Sequence, residues 1–397
     1  MHNVGDIAML QVAVRRLRAR FPRHAIDVVT GHAPRLLAEI PGVSPVCWRG
    51  GWLSAFGLPD VPGLDVVVAR RPYVGHAIDR LGGKFGLPAA RGRSGAAFAR
   101  RLPRTELVVA SGGGYVADDF ATWTTPVLEN LGAARAAGIP VAMLGQGLGP
   151  VEPGTEFHAL ASAIVGAADR VFVREATAGP ALLRAWGFPQ NRMRMTGDDA
   201  LVAAAAHRLD PVGLSVGVNV RAARYTGIGD DVLGAIGQAV DRLSTEHGAP
   251  IASLPISRVS VESDYDVVRS LLGDHPRFDT SPAPTTAEGV MARTATCRIV
   301  VATSYHAAVF ALACGIPAVC VVATPYYGAK MGGLADQFGP ACTVVPAVGE
   351  EFPDRLQSAM RSAWNAAPEL RTACRTVADA RIADAEAAYD TLSSLVA

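Results

Sequence analysis

The sequence predicts an α/β protein of two Rossmann-like domains facing each other across a cleft. Three observations carry this. Short runs rich in β-branched residues recur along the chain with helical stretches between them, and the runs are apolar on both faces, as in parallel strands covered by helices on either side. The length, 397 residues, matches two domains at ~100–200 residues each, and a 50% hydrophobic composition is enough for two buried cores. The alternation also breaks at the Ala-rich stretch ALVAAAAHRLDPVG (200–213), after which a fresh strand, LSVGVNVR, begins. A boundary near residue 208 divides the chain into an N-terminal domain (1–207) and a C-terminal domain (208–397).

In the first domain the strand-like runs are AIDVVT, LDVVVA, LVVASGGG, PVAMLGQG and RVFVRE, about five strands. The second holds SVGVNV, PIASLPI, RIVVATS, PAVCVVA and CTVV, with about four strands expected in its sheet. From Pro353 onward the pattern reads as a helical pair, whose last helix in folds of this kind crosses back to the first domain. Segments 49–62 and 73–105 depart from the alternation. The second is rich in Gly and Arg and reads as a flexible excursion or lid. No repeat with a period of 20–50 residues is visible.

Composition narrows the function classes. Charged residues make up 18%, below the ~25% of ordinary globular chains, so no charge-rich arm is expected. A net charge of +1 argues against a general nucleic-acid or membrane-surface binder. The cysteines form no CxxC pair and mostly sit in apolar runs, which reads as small buried hydrophobes in a reducing cytoplasm. The start, MHNVGD, has no apolar signal region, and the run AAVFALACGIPAVCVVA is broken by Gly-Ile-Pro, so it reads as a buried helix and strand and not as a membrane span. The sequence lacks a GxxxxGK[ST] loop, a zinc-spaced His/Cys/Asp cluster and a GxSxG elbow, which sets aside P-loop, zinc and serine-hydrolase chemistry.

Parallel sheets bind ligands beyond the carboxyl ends of their strands, so the residues there are the site candidates. In RIVVATSYHAAVFALACGIP (298–317) a strand ends at Ala302, Thr303 or Ser304 can cap the next helix, and Tyr305 and His306 fall in its first turn. Free amides and a partial positive charge there suit a phosphate or carboxylate, and a histidine can bind the anion or pass a proton. The alternative is a histidine that fills a helix–sheet contact. In ATPYYGAKMGGLADQFG (323–339), Tyr327 and Lys330 lie early in a helix, where a cation opposes the dipole; a phosphate contact or a solvated surface position would explain the lysine. In RVFVREATAGPALLRAWG (170–187), Arg174 suits bidentate anion binding, or else pairs with Glu175 to hold the strand end.

The glycine clusters SGGGYVADDF (111–120) and MLGQGLGPV (143–151) permit close backbone approach, and bring Gly113, Gly114 and Gln146 to a strand end. Asp118 and Asp119 then either orient acceptor hydroxyls or cap a helix. At the start, Asn3, Gly5 and Asp6 feed an amphipathic helix. TGDDALV (196–202) follows a strand, and Asn219 and Arg221 end the first strand of the second domain.

Taken in order, NVGD (3–6), SGGG (111–114), GQGLGP (145–150), VRE (173–175), TGDDA (196–200), VGVNVR (216–221), TSYHAAVFALACGIP (303–317) and YYGAK (326–330) resemble the polysaccharide pyruvyl transferase family over nearly the whole chain. The resemblance implies a fold similar to the GT-B glycosyltransferases, phosphoenolpyruvate as donor and co-substrate, and a sugar, glycan or lipid-linked saccharide as acceptor. The product is a pyruvate ketal of exopolysaccharide or cell-wall biosynthesis. No metal or further cofactor is required. By motif, Arg174, His306 and Lys330 are the donor contacts, with His306 the candidate acid and Asp6 or Asp118 the candidate base. Ser304, Tyr305, Tyr327, Asn3, Gly113, Gly114, Gln146, Asn219 and Arg221 complete the expected substrate surroundings.

The chain departs from the family pattern twice. NVGD normally follows a first β-strand but here begins at residue 3, so either the start lies upstream or the domain lacks that strand and exposes sheet edges. Segment 41–105 matches no family motif, and acceptor choice is expected there. The rival readings are a GT-B glycosyltransferase with a nucleotide-sugar donor, disfavoured because no ExxxxxxE-type pair follows Lys330, and a family member turned to a small natural-product acceptor. Homo-oligomerisation stays open.

Overall fold

The computed structural model describes residues 3–47, 97–258 and 263–396. The expected departure at 49–62 lies outside these residues, as does most of 73–105; of the latter, Leu102–Arg104 form a 3-10 turn.

The chain opens on α1 (Val4–Arg20), followed by β1 (Asp27–Thr30), α2 (Ala33–Glu39) and β2 (Ser44–Cys47), with β1 and β2 forming a separate parallel pair. The first large sheet contains β3 (Val108–Ala110), β4 (Gly113–Val116), β5 (Val141–Leu148), β6 (Arg170–Val173) and β7 (Met193–Met195). Its strands run parallel in the order β3-β5-β6-β7, with β4 also paired to β5. Helices α3 (Ala121–Ala136), α4 (Glu156–Gly166), α5 (Ala178–Ala185) and α6 (Ala200–Ala205) follow its strands. All eight residues of β5 are buried, the reason its apolar run reads so clearly in the sequence.

The second sheet contains β8 (Ser215–Asn219), β9 (Ile251–Ser253), β10 (Cys297–Ala302), β11 (Ala318–Val322) and β12 (Cys342–Pro346), all parallel in the order β12-β11-β10-β8-β9. It thus has five strands where about four were expected. The edge strand β12 buries only Cys342 and Val345, so its apolar signal is weak. Helices α7 (Asp230–His247), α8 (Asp264–Leu272), α9 (Ala287–Ala295), α10 (Tyr305–Cys314), α11 (Pro325–Phe338) and α12 (Phe352–Asp390) cover it. Every residue of α10 is buried, and Gly315 ends it in the left-handed region at φ 83°. This is the long apolar run of the sequence, folded as helix and then strand. Among the described residues no helix is long and apolar enough to cross a membrane. Cys297, Cys314, Cys320, Cys342 and Cys374 are free and buried.

The C-terminal segment is not the helical pair expected but one helix of 39 residues, with Pro368 inside it. Proline cannot donate to the carbonyl four residues back, that of Trp364, and the Arg298 guanidinium donates to it instead at 2.9 Å. The N-terminal half of α12 packs Phe352, Leu356, Met360 and Trp364 into the second sheet's core. Its far end crosses to the first sheet, where Ala388 and Tyr389 meet Ala142, Leu144 and Phe172.

At this crossing a buried polar brace joins three elements. Asp199, just before α6, accepts from Arg16 of α1 at 2.5 Å and from the Tyr389 hydroxyl of α12 at 2.7 Å. Arg16 also donates to Glu386 at 2.7 Å. Burial pushes the Asp199 carboxyl up to about 6, against the pull of Arg16 and Tyr389. The folded value lies above the unfolded one of about 4, so Asp199 favours folding below about pH 4 and loses that contribution as pH rises through 6. Arg16 limits the loss. Arg16→Met should therefore destabilise the fold by about 3–5 kcal/mol at neutral pH, and by much less once the pH falls below about 6. Urea unfolding at several pH values measures this; a cost independent of pH would show that Asp199 is not the group involved.

Candidate active site

The order of the second sheet places β8 and β10 side by side at the point where the strand order reverses, the position at which doubly wound sheets open a crevice. The loops leaving these two strands are tied together by side chains. Thr303 Oγ1 accepts the Arg221 amide at 2.6 Å, and Asn219 Oδ1 accepts the Ser304 amide at 3.0 Å. Asn219 also donates to Asp264 and to the Leu254 carbonyl, each at 2.9 Å. Burial pushes the Asp264 carboxyl up to about 6. Neither Thr303 nor Ser304 caps α10 through its side chain, contrary to the capping expected: Thr303 spends its oxygen on Arg221, and Ser304 Oγ is buried without a partner.

His306 is the second residue of α10 and is 6% exposed. Its Nε2 faces Asp198 Oδ2 at 3.7 Å and its Nδ1 faces Asp6 Oδ1 at 4.0 Å. The ring lies against the first turn of α1, so close to Gly5 that a Cβ there would stand 2.0 Å from His306 Cγ. Asn3 anchors that turn. Its side chain accepts from the Gly5 and Asp6 amides, and its backbone bridges Ser257 beyond β9. Asn3 thus acts on the site by capping α1, while the Asp6 side chain, 60% exposed, remains open to the cleft.

Arg174 leaves the end of β6 and is 1% exposed. It does not pair with Glu175, the structural alternative drawn from the sequence. Glu175 instead accepts the amides of Thr177, Ala178 and Gly179 and caps α5. The Arg174 guanidinium contacts Asp198 Oδ2 at 3.3 Å and lies 4.0 Å from the centre of the Tyr305 ring, while its Nη2 is buried with no hydrogen-bond partner. Burial alone would raise the Asp198 carboxyl; contact with His306 and Arg174 and the Ala200 amide outweigh it and hold the group below its ordinary value.

Lys330 comes from α11, one face of which lies across the strand ends of the first sheet. Tyr326 donates to the Gly114 carbonyl at 2.7 Å, Gln337 to the Arg174 carbonyl at 3.0 Å, and Thr177 to Asp336 at 2.6 Å. Gly333 lets the helix press on Glu175, where a Cβ would come within 2.6 Å. Lys330 Nζ donates to the Tyr326 hydroxyl at 2.7 Å. A Cβ on Gly114 would stand 2.5 Å from Arg174 Nη2 and 2.9 Å from Lys330 Nζ, so the two cations, one from each side of the cleft, converge over this glycine. Burial, then the Arg174 charge, drive the Lys330 amine well below its ordinary value. A narrow cavity lined by Gly114, Gly147, Gly149, Arg174, Tyr326 and Lys330 opens here. His306 does not line it; Asp198 and Arg174 join it to that side.

The remaining expected residues fall outside this cluster. Asp118 turns away to accept the Glu152 amide at 2.7 Å, and so holds a loop. Gln146 is buried beneath the glycine loop, donating to the Ser111 and Leu144 carbonyls at 2.9 Å each. Gly113 crowds the neighbouring Tyr115 ring. Arg221 donates to the Tyr225 hydroxyl at 3.0 Å, and Tyr225 stacks on Tyr327. The sequence reading marked Asp198 and Asp199 only as following a strand, with no role for either, and did not select Tyr326. Asp198 and Tyr326 sit inside quoted motifs, TGDDA and YYGAK, but nothing local separates Asp198 from Asp199 or Tyr326 from Tyr327. Among the described residues no group of three or more His, Cys, Asp or Glu side chains could hold a metal.

A family model described as polysaccharide pyruvyl transferase matches residues 3–324. No curated protein matches the chain. Similar solved structures include one from Listeria monocytogenes assigned as a UDP-N-acetylglucosamine 2-epimerase (TM-score 0.61, 12% identity, 96% of this chain and 92% of that one). The UDP-GlcNAc 2-epimerase of Methanocaldococcus jannaschii (TM-score 0.57, 12% identity, 89% of each chain) and the glycotransferase of kitacinnamycin (TM-score 0.57, 12% identity, 100% and 98%) are also similar. At such identities the likeness shows the fold, two Rossmann-like domains of GT-B type.

The contact between Gly5 and His306 gives a direct test of the geometry. Gly5→Ala should displace the imidazole and destabilise the fold by about 1–3 kcal/mol through overpacking. Thermal unfolding and a crystal structure of the variant check this; an unmoved His306 would show that the α1 turn yields instead.

Proposed function

The chain belongs to the polysaccharide pyruvyl transferase family, and on that premise we propose that it transfers the pyruvyl group of phosphoenolpyruvate to two hydroxyls of a sugar, glycan or lipid-linked saccharide, forming a ketal and releasing phosphate. The observation that carries this reading is the convergence of Arg174 Nη2 and Lys330 Nζ over Gly114, with Nη2 buried and unpartnered. Two cations facing a glycine-lined cavity suit a small ligand with a phosphate and a carboxylate. The missing side chain at Gly114 is what lets both cations come this close to the backbone.

In this reading a proton goes to the methylene carbon of the donor, C2 becomes cation-like, and an acceptor hydroxyl adds to it, giving up its own proton. The bond from C2 to the phosphate oxygen then breaks, and the second hydroxyl adds and loses its proton to close the ring. Arg174 and Lys330 bind and orient the donor and stabilise the departing phosphate. His306 is the proton donor. Asp6, the exposed carboxylate beside it, is the base for the acceptor, and Asp118, tied to the Glu152 amide, is the weaker candidate. No metal or further cofactor enters the scheme.

Incubation with phosphoenolpyruvate and a panel of sugar acceptors should release phosphate and add to one acceptor the mass of pyruvate less water. Binding of a UDP-sugar without any binding or turnover of phosphoenolpyruvate would replace this reading with nucleotide-sugar glycosyl transfer. Arg174→Lys and Lys330→Met should each lower kcat/KM by about a hundredfold or more, and His306→Ala should lower kcat by about a hundredfold to ten-thousandfold; unchanged turnover in His306→Ala would remove His306 from the mechanism. Because burial and the Arg174 charge lower the Lys330 amine in the free site and an arriving anion opposes that shift, donor binding should be accompanied by proton uptake. Calorimetry in buffers of different ionisation enthalpy reads this uptake, which should fall in Lys330→Met.

A further inference from the structure

We propose that Asp198 is the positioning residue of this site: one of its oxygens serves both Arg174 and His306, keeps the His306 proton on Nε2, and leaves Nδ1, on the Asp6 side, as the ring nitrogen that exchanges a proton with bound reactants. Only the identity of those reactants rests on the pyruvyl-transfer reading.

The geometry is specific to this carboxylate. Asp198 is 3% exposed and sits between β7 and α6, after Gly197 turns the chain at φ 71°. Its Oδ1 accepts the Ala200 amide at 2.8 Å, which fixes the plane of the group. That leaves Oδ2 facing inward, 3.3 Å from Arg174 Nη1 and 3.7 Å from His306 Nε2. A neutral imidazole has one N–H and one lone pair, and its tautomer follows from what each nitrogen faces. A lone pair on Nε2 would point at a buried carboxylate oxygen and be repelled, whereas an N–H there is attracted. Nδ1 faces a different environment: Asp6 Oδ1 lies 4.0 Å away on a side chain that is 60% exposed, where water competes for the contact. Gly5 packs closely against the ring near Cγ, which resists the ring turning over to exchange the places of its two nitrogens. The same Oδ2 turns the Arg174 fork, and this leaves Nη2 directed at Gly114 and Lys330. One carboxylate thereby sets the direction of a cation and the tautomer of an acid–base group.

The decisive experiment needs no donor or acceptor. Full-length protein labelled with 15N-histidine is compared as wild type, Asp198→Asn and Asp198→Glu, with the His306 signals assigned by their loss in His306→Gln. Two-bond proton–nitrogen correlations report which nitrogen holds the proton of the neutral ring. The expected result is Nε2 in the wild type, a mixture or Nδ1 in Asp198→Asn, and return towards Nε2 in Asp198→Glu. The same tautomer in wild type and Asp198→Asn overturns the proposal. If Asp198→Asn does not fold, as circular dichroism would show, the wild-type spectrum decides alone, and a neutral ring protonated on Nδ1 overturns it. Where phosphoenolpyruvate turns over, Asp198→Asn should lower kcat by about a hundredfold and, through Arg174, also raise the donor KM. A protein that shows the expected tautomer but no pyruvyl transfer keeps this inference and loses the reading of the reaction.

Discussion

Two adjacent buried carboxylates, Asp198 and Asp199, face opposite ways, and much of the molecule is organised around that divergence. Asp198 points into the cleft and takes up Arg174 and His306. Asp199 points the other way and takes up Arg16 of α1 and Tyr389 of α12. A buried charge is tolerated only where cations and donors compensate it. Each carboxylate therefore requires its partners to come to it. The partners belong to elements far apart in sequence, so the pair links the first sheet, the opening helix, the second domain's buried helix and the C-terminal helix at one place. The electrostatic consequences also diverge: Asp198 is held below its ordinary value by its neighbours, whereas burial pushes Asp199 up to about 6.

Glycines set how closely the parts approach. Gly5 lets α1 touch His306, Gly114 leaves room over which Arg174 and Lys330 meet, and Gly333 lets α11 press on Glu175. At each place an added Cβ would fall within 3 Å of a side chain that holds or builds the site. The cleft is therefore not a gap between two rigid halves. Helix α11 belongs by sequence to the second domain, yet Tyr326, Gln337 and Asp336 bind it to the strand ends of the first. Lys330 is thus delivered by one domain and held in place by the other.

The alternation of strands and helices was legible because parallel strands are buried on both faces, and β5 and α10, buried throughout, show the rule at its plainest. Arg174, His306 and Lys330 were legible because they follow strands, where the geometry of parallel sheets puts ligands. What was not legible depended on rotation and long-range contact. Tyr326 and Tyr327 are adjacent and alike, and only the face that α11 turns to Gly114 separates them. Asp198 and Asp199 differ only in which way each points. Gly5 reads locally as a glycine at a helix start, and its reason is an imidazole some three hundred residues away in sequence. The unbroken course of α12 past Pro368 rests on Arg298, which fills the hydrogen bond that the proline leaves open.

The charges in the cleft are conditional. Arg174 already has a counter-ion in Asp198, and Lys330, crowded by burial and by Arg174, is held towards its neutral form. An anion beside Lys330 opposes that lowering and favours the ammonium form. A neutral sugar does not offer this compensation. On the proposed reaction, an acceptor hydroxyl has little electrostatic reason to occupy the Arg174–Lys330 cavity, and the exposed Asp6 side of His306 is the place for it. In the proposed reaction the imidazole stands between the two reactants, with the anionic donor beyond Arg174 and the acceptor beside Asp6. A group that must pass a proton during their union is useful in that position, and on the inference above Asp198 is the residue that engages its Nε2 and leaves its Nδ1 for the exchange.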